Sequence, residues 1–329
     1  MKEKIKVIQY GLGPIGSAIA RLVVEREGLE IVGGVDIDSN KIGKDVGKVI
    51  GLEHSLDIDV VEKLAQVETA ADVVMHTTGS YFDLIMDQII EILEAGFDII
   101  STSEELSFPL LAHPEEAARV DLAAKGAGKT VLATGINPGF LMDSLPLFLT
   151  SICQQVSHID VTRVINASLR RGPFQAKIGS GMTVDEFNAK MAEGRMGHVG
   201  LLESTGMVFD TLGKQMARYT SDVEPIVADR PVKTDYIEVQ PGQVKGLKQV
   251  ARGYTEDGEF MTLTFIAALA AGDDGDTINI TGKPNLTITL HGTNGDLATA
   301  AIAVNATRRV IEAQPGLVTM RDLPIVTVC

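Results

Sequence analysis

The chain has no tryptophan, only two cysteines, and fewer basic than acidic side chains. Cys153 and Cys329 build no disulfide framework, and no CxxC pair or Cys/His cluster offers a structural zinc site. With 29 lysines and arginines against 44 aspartates and glutamates, the formal net charge is −15. A polyanion partner is disfavoured, because affinity for nucleic acid comes mainly from basic side chains neutralising phosphates. No apolar run approaches the ~20 residues that cross a bilayer. The N-terminus, MKEKIKVIQYGLG, enters a strand pattern directly, without the apolar core of a signal peptide. These absences predict a cytoplasmic protein with no nucleic acid, membrane or metal partner.

What is present is a chain of 329 residues, 45% apolar, long enough for two domains and a sizeable core. In the first half, short β-branched runs (Ile5–Tyr10, Glu30–Val35, Asp72–Thr77, Asp98–Thr102, Thr130–Thr134) alternate with helical patterns (Pro14–Glu27, Tyr81–Ala95, Pro114–Lys125). That alternation predicts a doubly wound, Rossmann-type parallel sheet over residues 1–140. After Gly135 the pattern changes. A helix is expected over Met142–Ile152, an alternating strand over Ser157–Ile165, and helices over Val184–Glu193 and Val199–Leu212. Strands are expected near Asp235–Val239, Lys248–Tyr254, Glu259–Ala268, Thr277–Thr281 and Leu286–His291. Residues 141–329 therefore read as a second, α+β domain with a mostly antiparallel sheet. Its last helix, Asp296–Ala313, is a candidate to return to the first domain.

The strongest local motif is Gly11, Leu12, Gly13, Pro14, Ile15 and Gly16, placed between the first strand and the first helix. Gly11 suits a tight turn, Gly13 the approach of backbone to a pyrophosphate, and Gly16 close packing of helix on strand. Asp36 follows at the end of the next strand, where a carboxylate accepts from adenosine ribose hydroxyls. Strand, glycine loop, helix, strand and acid in this order predict a nicotinamide dinucleotide. Asp36 repels a 2′-phosphate and so favours NAD, whereas Ser39, Lys41 and Lys44 nearby leave NADP open. The two lysines are expected to be solvated.

Two further patterns carry no ligand. Gly128-Lys129-Thr130 has a phosphate-loop look but follows a helix and precedes a strand, so it reads as a helix C-cap. Asp36, Asp38 and Asn40 open like a calcium loop, yet Lys41 stands where the turn glycine belongs.

In a doubly wound sheet, ligands lie beyond the carboxyl ends of the strands. Three loops occupy that place: Thr77, Thr78, Gly79 and Ser80; Ser101–Leu106, with Glu104 and Glu105 as candidate catalytic carboxylates; and Gly135–Phe140. In the last, Asn137 is placed for the nicotinamide amide and Phe140 is a substrate-binding candidate. The bland alternative for Glu104 and Glu105 is capping of the helix that follows. In the second domain, Arg170, Arg171 and Lys177 form a basic stretch suited to a substrate carboxylate. His198 is a substrate candidate whose bland alternative is a helix cap or surface position. The other histidines show no metal spacing, and no GxSxG elbow supports a serine hydrolase.

The combination GLGPIG, VDIDSNKIGKDVG, STSEELSFP, TGINPGF, RRGPFQAKIGSGMT, GHVGLLES, QVARGY and PGLVTMRDLPI resembles the 2,4-diaminopentanoate dehydrogenases and native amine dehydrogenases. These belong to the broader group similar to dihydrodipicolinate reductase. The resemblance spans the chain and implies NAD(P) binding, a homodimer, and interconversion of an amine with a ketone plus ammonia. It carries the family's catalytic glutamate onto Glu104, with Glu105 its neighbour. This chain departs from the family at Ser103, where cysteine is common, and at Gly172-Pro-Phe174, where LPL is frequent. Other functions open to such a fold are alcohol or semialdehyde oxidation and non-catalytic NAD sensing.

Overall fold

The computed structural model describes residues 4–194, 196–272 and 274–328; Cys329 lies outside them. Contacts divide the chain into two units, one running to Phe140 and resuming at Asn294, the other Leu141–Thr293.

The first unit begins with β1 (Ile5–Tyr10), α1 (Pro14–Glu25), β2 (Leu29–Val35), α2 (Val46–Val49), β3 (Val60–Val61) and β4 (Val73–His76). It continues with α3 (Phe82–Glu94), β5 (Asp98–Ser101), α4 (Pro114–Ala127) and β6 (Thr130–Ala133). Both faces of the sheet are covered, so its strands are continuous apolar runs whose alternate residues enter opposite cores. Val7 of β1 joins one core with Ile19 and Val23 of α1, while Ile8 joins the other with Phe82, Ile85 and Ile89 of α3. The i, i+3, i+4, i+7 spacing of Gly16, Ile19, Ala20 and Val23 puts the buried face of α1 on one side of the helix. Gly128 ends α4 in the left-handed region and donates to the Ala124 and Lys125 carbonyls, the C-cap expected of it.

The second unit holds α5 (Ser144–Thr150), β7 (Gln155–Asn166), α6 (Gly172–Lys177), α7 (Val184–Ala192) and α8 (Leu201–Thr211). The strands β8 (Arg218–Val227), β9 (Val232–Lys233), β10 (Glu238–Val239), β11 (Val244–Thr255), β12 (Gly258–Ala268), β13 (Gly275–Lys283) and β14 (Leu286–His291) follow. Five of them join β7 in one sheet of order β14-β13-β7-β12-β11-β8, antiparallel except for the β7/β12 pair. Along β7, Ile159, Val161, Arg163 and Ile165 face inward, and the residues between them are less buried. Arg163 is tolerated there because its guanidinium meets Asp276 at 3.0 Å and Thr293 donates to the same carboxylate.

The chain then returns to the first unit as α9 (Gly295–Ile311) and β15 (Gly316–Val318). Ala300, Ala303, Val304, Ala306 and Val310 of α9 pack into the core that holds Val7. The first sheet is thus β15-β6-β5-β4-β1-β2-β3, parallel throughout. Among the described residues, no helix is long and apolar enough to cross a membrane.

Several elements differ from the sequence expectations. The expected helix Met142–Ile152 is confined to Ser144–Thr150, and the basic stretch after Arg171 forms a short helix, α6. Asp235–Val239 contributes only Glu238–Val239 to a hairpin with β9. The ten-residue β8 went unpredicted: it pairs only with β11, is mostly polar, and carries Pro225, which an edge strand accepts.

Candidate active site

At the carboxyl end of β1 the glycines divide into two kinds. A Cβ on Gly16 would lie 1.9 Å from the Gly11 carbonyl oxygen, and one on Gly11, whose φ is +91°, would lie 2.8 Å from the Thr77 carbonyl oxygen. Packing of this unit alone requires both. A Cβ on Gly13 would meet nothing within 4 Å, so the protein leaves space there. Gly13 is also the N-cap of α1, with no side-chain cap, Pro14 in the first turn and no acidic residue beside it. An open approach to a helix N-terminus with uncompensated positive character is where a phosphate binds. Leu12 is buried and donates its N–H to Asp36 Oδ2 at 2.7 Å, which ties the glycine loop to the acid.

Asp36 also accepts from the Asp38 N–H at 2.9 Å and from Lys41 Nζ at 2.9 Å. Burial raises the affinity of its carboxyl for a proton. The Lys41 ammonium and the two backbone amides outweigh this and hold the carboxyl below the ordinary aspartate range. The expectation that Lys41 is solvated is therefore corrected: it bridges Asp36 and, at 3.7 Å, Asp38, because two carboxylates two residues apart attract the nearest ammonium. Lys44 remains exposed. Ile37, beside Asp36, is 85% exposed, an apolar surface that no sequence signal marked.

The side chains after β4 turn toward the protein. Thr77 Oγ1 donates to the Gly11 carbonyl at 2.8 Å and accepts from Gln9 Nε2 at 3.0 Å, so it clamps the glycine loop. Thr78 Oγ1 donates to Gln88 Oε1 at 2.6 Å, and Gly79 packs near Ile85. In the Gly135–Phe140 loop, Ile136 donates to Thr299 Oγ1 of α9 at 3.2 Å, Asn137 is buried, and Phe140 is exposed.

The two glutamates after β5 have different surroundings. Glu105 Oε2 accepts the Phe82 N–H at 2.7 Å and lies 3.3 Å from His113 Nε2. Its carboxylate therefore caps α3, the helix that precedes it, while Glu104 stands at the N-cap position of the short 3-10 turn Glu105–Ser107 that follows, without a side-chain cap hydrogen bond. Glu104 is half-buried, and its carbonyl accepts from Ser107 Oγ at 2.7 Å.

In the second unit, Arg170 lies over the Phe174 ring at 5.1 Å, and Arg171 is the N-cap of α6. Lys177 is exposed at the end of that helix. Gln175 shapes this turn by donating to the Ala167 and Arg170 carbonyls and accepting from Thr234. His198 stacks on Phe265 with centroids 4.6 Å apart, and its N–H donates to Gln249 Oε1 at 2.6 Å. The cap of α8 is Gly200, so the capping alternative for His198 is corrected.

Two buried polar residues carried no recognised sequence signal, His76 at 0% exposure and Glu203 at 4%. An acid inside GHVGLLES and a histidine closing a strand were the only marks available.

Residues 140–329 match the family model of the 2,4-diaminopentanoate dehydrogenase C-terminal domain, and residues 5–100 that of the dihydrodipicolinate reductase N-terminus. A 2,4-diaminopentanoate dehydrogenase from Acetoanaerobium sticklandii is 36% identical across 98% of this chain and 94% of its own length. An amine dehydrogenase from Streptomyces virginiae is 22% identical across 98% of this chain and 96% of its own. A solved amine dehydrogenase structure from Mycobacterium smegmatis shares the fold, with a TM-score of 0.89, 24% identity, and coverage of 100% of this chain and 98% of that one. With a matching family model over more than half its length and a 36% identical relative along nearly all of it, the chain belongs to the 2,4-diaminopentanoate dehydrogenase family.

Proposed function

We propose that this chain oxidises an amine at its CH–NH2 group to a ketone plus ammonia and catalyses the reverse reductive amination, with Glu104 handling the nitrogen and its protons. Family membership makes it an NAD(P)-dependent dehydrogenase acting on CH–NH2 groups. The amine is 2,4-diaminopentanoate or a simple alkyl amine.

The observation that carries the cofactor assignment is the contrast between Gly16, which the fold itself needs, and Gly13, whose open side suits a pyrophosphate at the start of α1. Leu12, Pro14 and Ile15 shape that turn, Asp36 takes the ribose hydroxyls, and Thr77, Thr78, Gly79 and Asn137 border the nucleotide. When bound, the nicotinamide supplies the hydride acceptor for oxidation and the donor for reduction. NAD is the favoured form because the Asp36 carboxylate, held below the ordinary aspartate range, repels a 2′-phosphate. Lys41, already on Asp36, moderates the repulsion of a 2′-phosphate.

Support for Glu104 over Glu105 comes from the structural role of Glu105. Glu105 is committed to the N-terminus of α3 and to His113. Glu104 holds the ammonium of the substrate, takes one of its protons and passes it to solvent. Loss of hydride from the adjacent carbon then leaves a cationic iminium, which the carboxylate stabilises. Water adds to that carbon, Glu104 takes the proton released and returns it to the nitrogen, and ammonia departs as the hydroxyl loses its proton to form the ketone. In reverse, the same group orients ammonia on the ketone. Arg170, Arg171 and Lys177 are the candidates for meeting a substrate carboxylate, and Phe140 and His198 the candidates for its organic part. The enzyme works as a homodimer.

The test is a ketone plus NADH assay with and without ammonium, run on wild type and Glu104→Ala. Amine chemistry requires ammonium for every turnover, and the variant loses turnover while retaining NADH binding. Ammonium-independent oxidation of NADH, or wild-type turnover by the variant, refutes the assignment. Ketones with and without a carboxylate and a second amine separate the two substrate classes.

A further inference from the structure

His76 closes β4 with its ring wholly buried. In the parallel register it stands between Tyr10 of β1 and Ser101 of β5. Its Nδ1 lies 3.0 Å from Ser101 Oγ, and its Nε2 lies 2.8 Å from Gln88 Oε1 on α3 and 2.9 Å from Thr78 Oγ1. Ser101 Oγ also accepts the Ser103 N–H at 3.1 Å, and Ser103 Oγ donates to the Ser80 carbonyl at 3.0 Å. The Ser101 carbonyl accepts the Thr134 N–H at 2.9 Å.

These contacts define a direction for each proton. Gln88 Oε1 can only accept, and Thr78 Oγ1 gives its single hydrogen to that same oxygen, so Nε2 carries the hydrogen and Nδ1 is the bare acceptor. Ser101 Oγ, already accepting from the Ser103 amide, gives its own hydrogen to Nδ1. The result is one chain of donors and acceptors from α3 through His76 and Ser101 to the backbone of residue 103, immediately before Glu104.

We propose that His76 and Ser101 form a buried positioning couple that sets the Glu104 loop, with His76 held as the neutral Nε2–H tautomer. It rests on the assignment of Glu104 as the catalytic carboxylate. Neither residue of the couple touches the reacting atoms; Ser101 acts through the Ser103 amide and His76 through Ser101, while its other ring nitrogen meets Gln88 and Thr78. Burial independently favours the neutral ring, pushing the His76 pKa down to about 4. A buried chain with each member satisfied holds a loop more narrowly than a surface contact can. Catalysis is sensitive to such placement, since a shift of about 1 Å can cost ~100-fold in rate.

The test compares wild type, Ser101→Ala, His76→Phe, the double variant and Glu104→Ala by steady-state kinetics and thermal melting. Ser101→Ala is expected to lower kcat about tenfold while leaving the KM for NADH within about twofold, because the loop moves and the glycine loop does not. The double variant should be no slower than the slower single variant, as for two residues acting in series. Wild-type kcat in Ser101→Ala, or single effects that multiply in the double variant, overturns the couple. Should His76→Phe fail to fold, the kcat and KM of Ser101→Ala decide alone. Turnover surviving in Glu104→Ala overturns the catalytic assignment itself. An inactive Glu104→Ala with normal Ser101→Ala overturns only the positioning role.

Discussion

Phe82 donates its backbone N–H to the Glu105 carboxylate at 2.7 Å, joining the first turn of α3 to the loop that carries Glu104. The two adjacent glutamates thereby acquire separate tasks. Glu105→Gln should lower stability by about 1 kcal/mol, the usual scale for a helix N-terminal partner, and reduce turnover only modestly. Glu104→Gln should lower kcat by ~100-fold or more. Parallel melting curves and steady-state rates check the pair, and equal kinetic losses would contradict the division.

Gly13 and Gly16 should also separate. Gly16→Ala forces a methyl into the Gly11 carbonyl, so the melting temperature should fall markedly. Gly13→Ala meets no protein atom, and should leave the melting temperature near wild type while weakening NADH binding about tenfold or more. Calorimetry of folding and NADH titration read the two effects independently.

Lys41→Ala removes the ammonium from Asp36 and Asp38. The uncovered carboxylates should then repel a 2′-phosphate more strongly, so kcat/KM for NADPH should fall about tenfold relative to that for NADH. A ratio that does not move, measured at constant ionic strength, removes Lys41 from cofactor selection.

His76 makes stability depend on pH. Its folded pKa of about 4 lies below the ordinary 6.5, so between these values the unfolded chain binds a proton that the folded chain refuses. Its contribution is fully present above pH 6.5 and is lost as pH falls toward 4, by a total of about 3 kcal/mol. His76→Gln should flatten the decline of the melting temperature over this interval. An unchanged slope would mean that His76 is protonated in the folded protein.

Much of the architecture was legible in local pattern. Ile5–Tyr10 is the first strand as expected, and Pro14 and Gly128 mark a helix start and a helix end because φ restriction and left-handed freedom are properties of single residues. The short edge strands β3 and β15 and the polar β8 were not legible. Two or three residues carry no periodicity, and a solvated edge lacks the apolar run by which strands are recognised.

The sequence by itself determined the parallel sheet, the glycine loop with its acid, and the presence of two adjacent glutamates, since each depends on spacing within one strand-helix-strand unit. Only the tertiary structure decided that Glu105 caps α3, that Lys41 bridges Asp36 and Asp38, and that His76 reaches Ser101. His76 and Ser101 are 25 positions apart, and Phe82 and Glu105 are 23 apart. Such partners meet only when parallel strands come into register and a helix packs across them, so their chemistry is set by pairing and burial and not by neighbours in the chain.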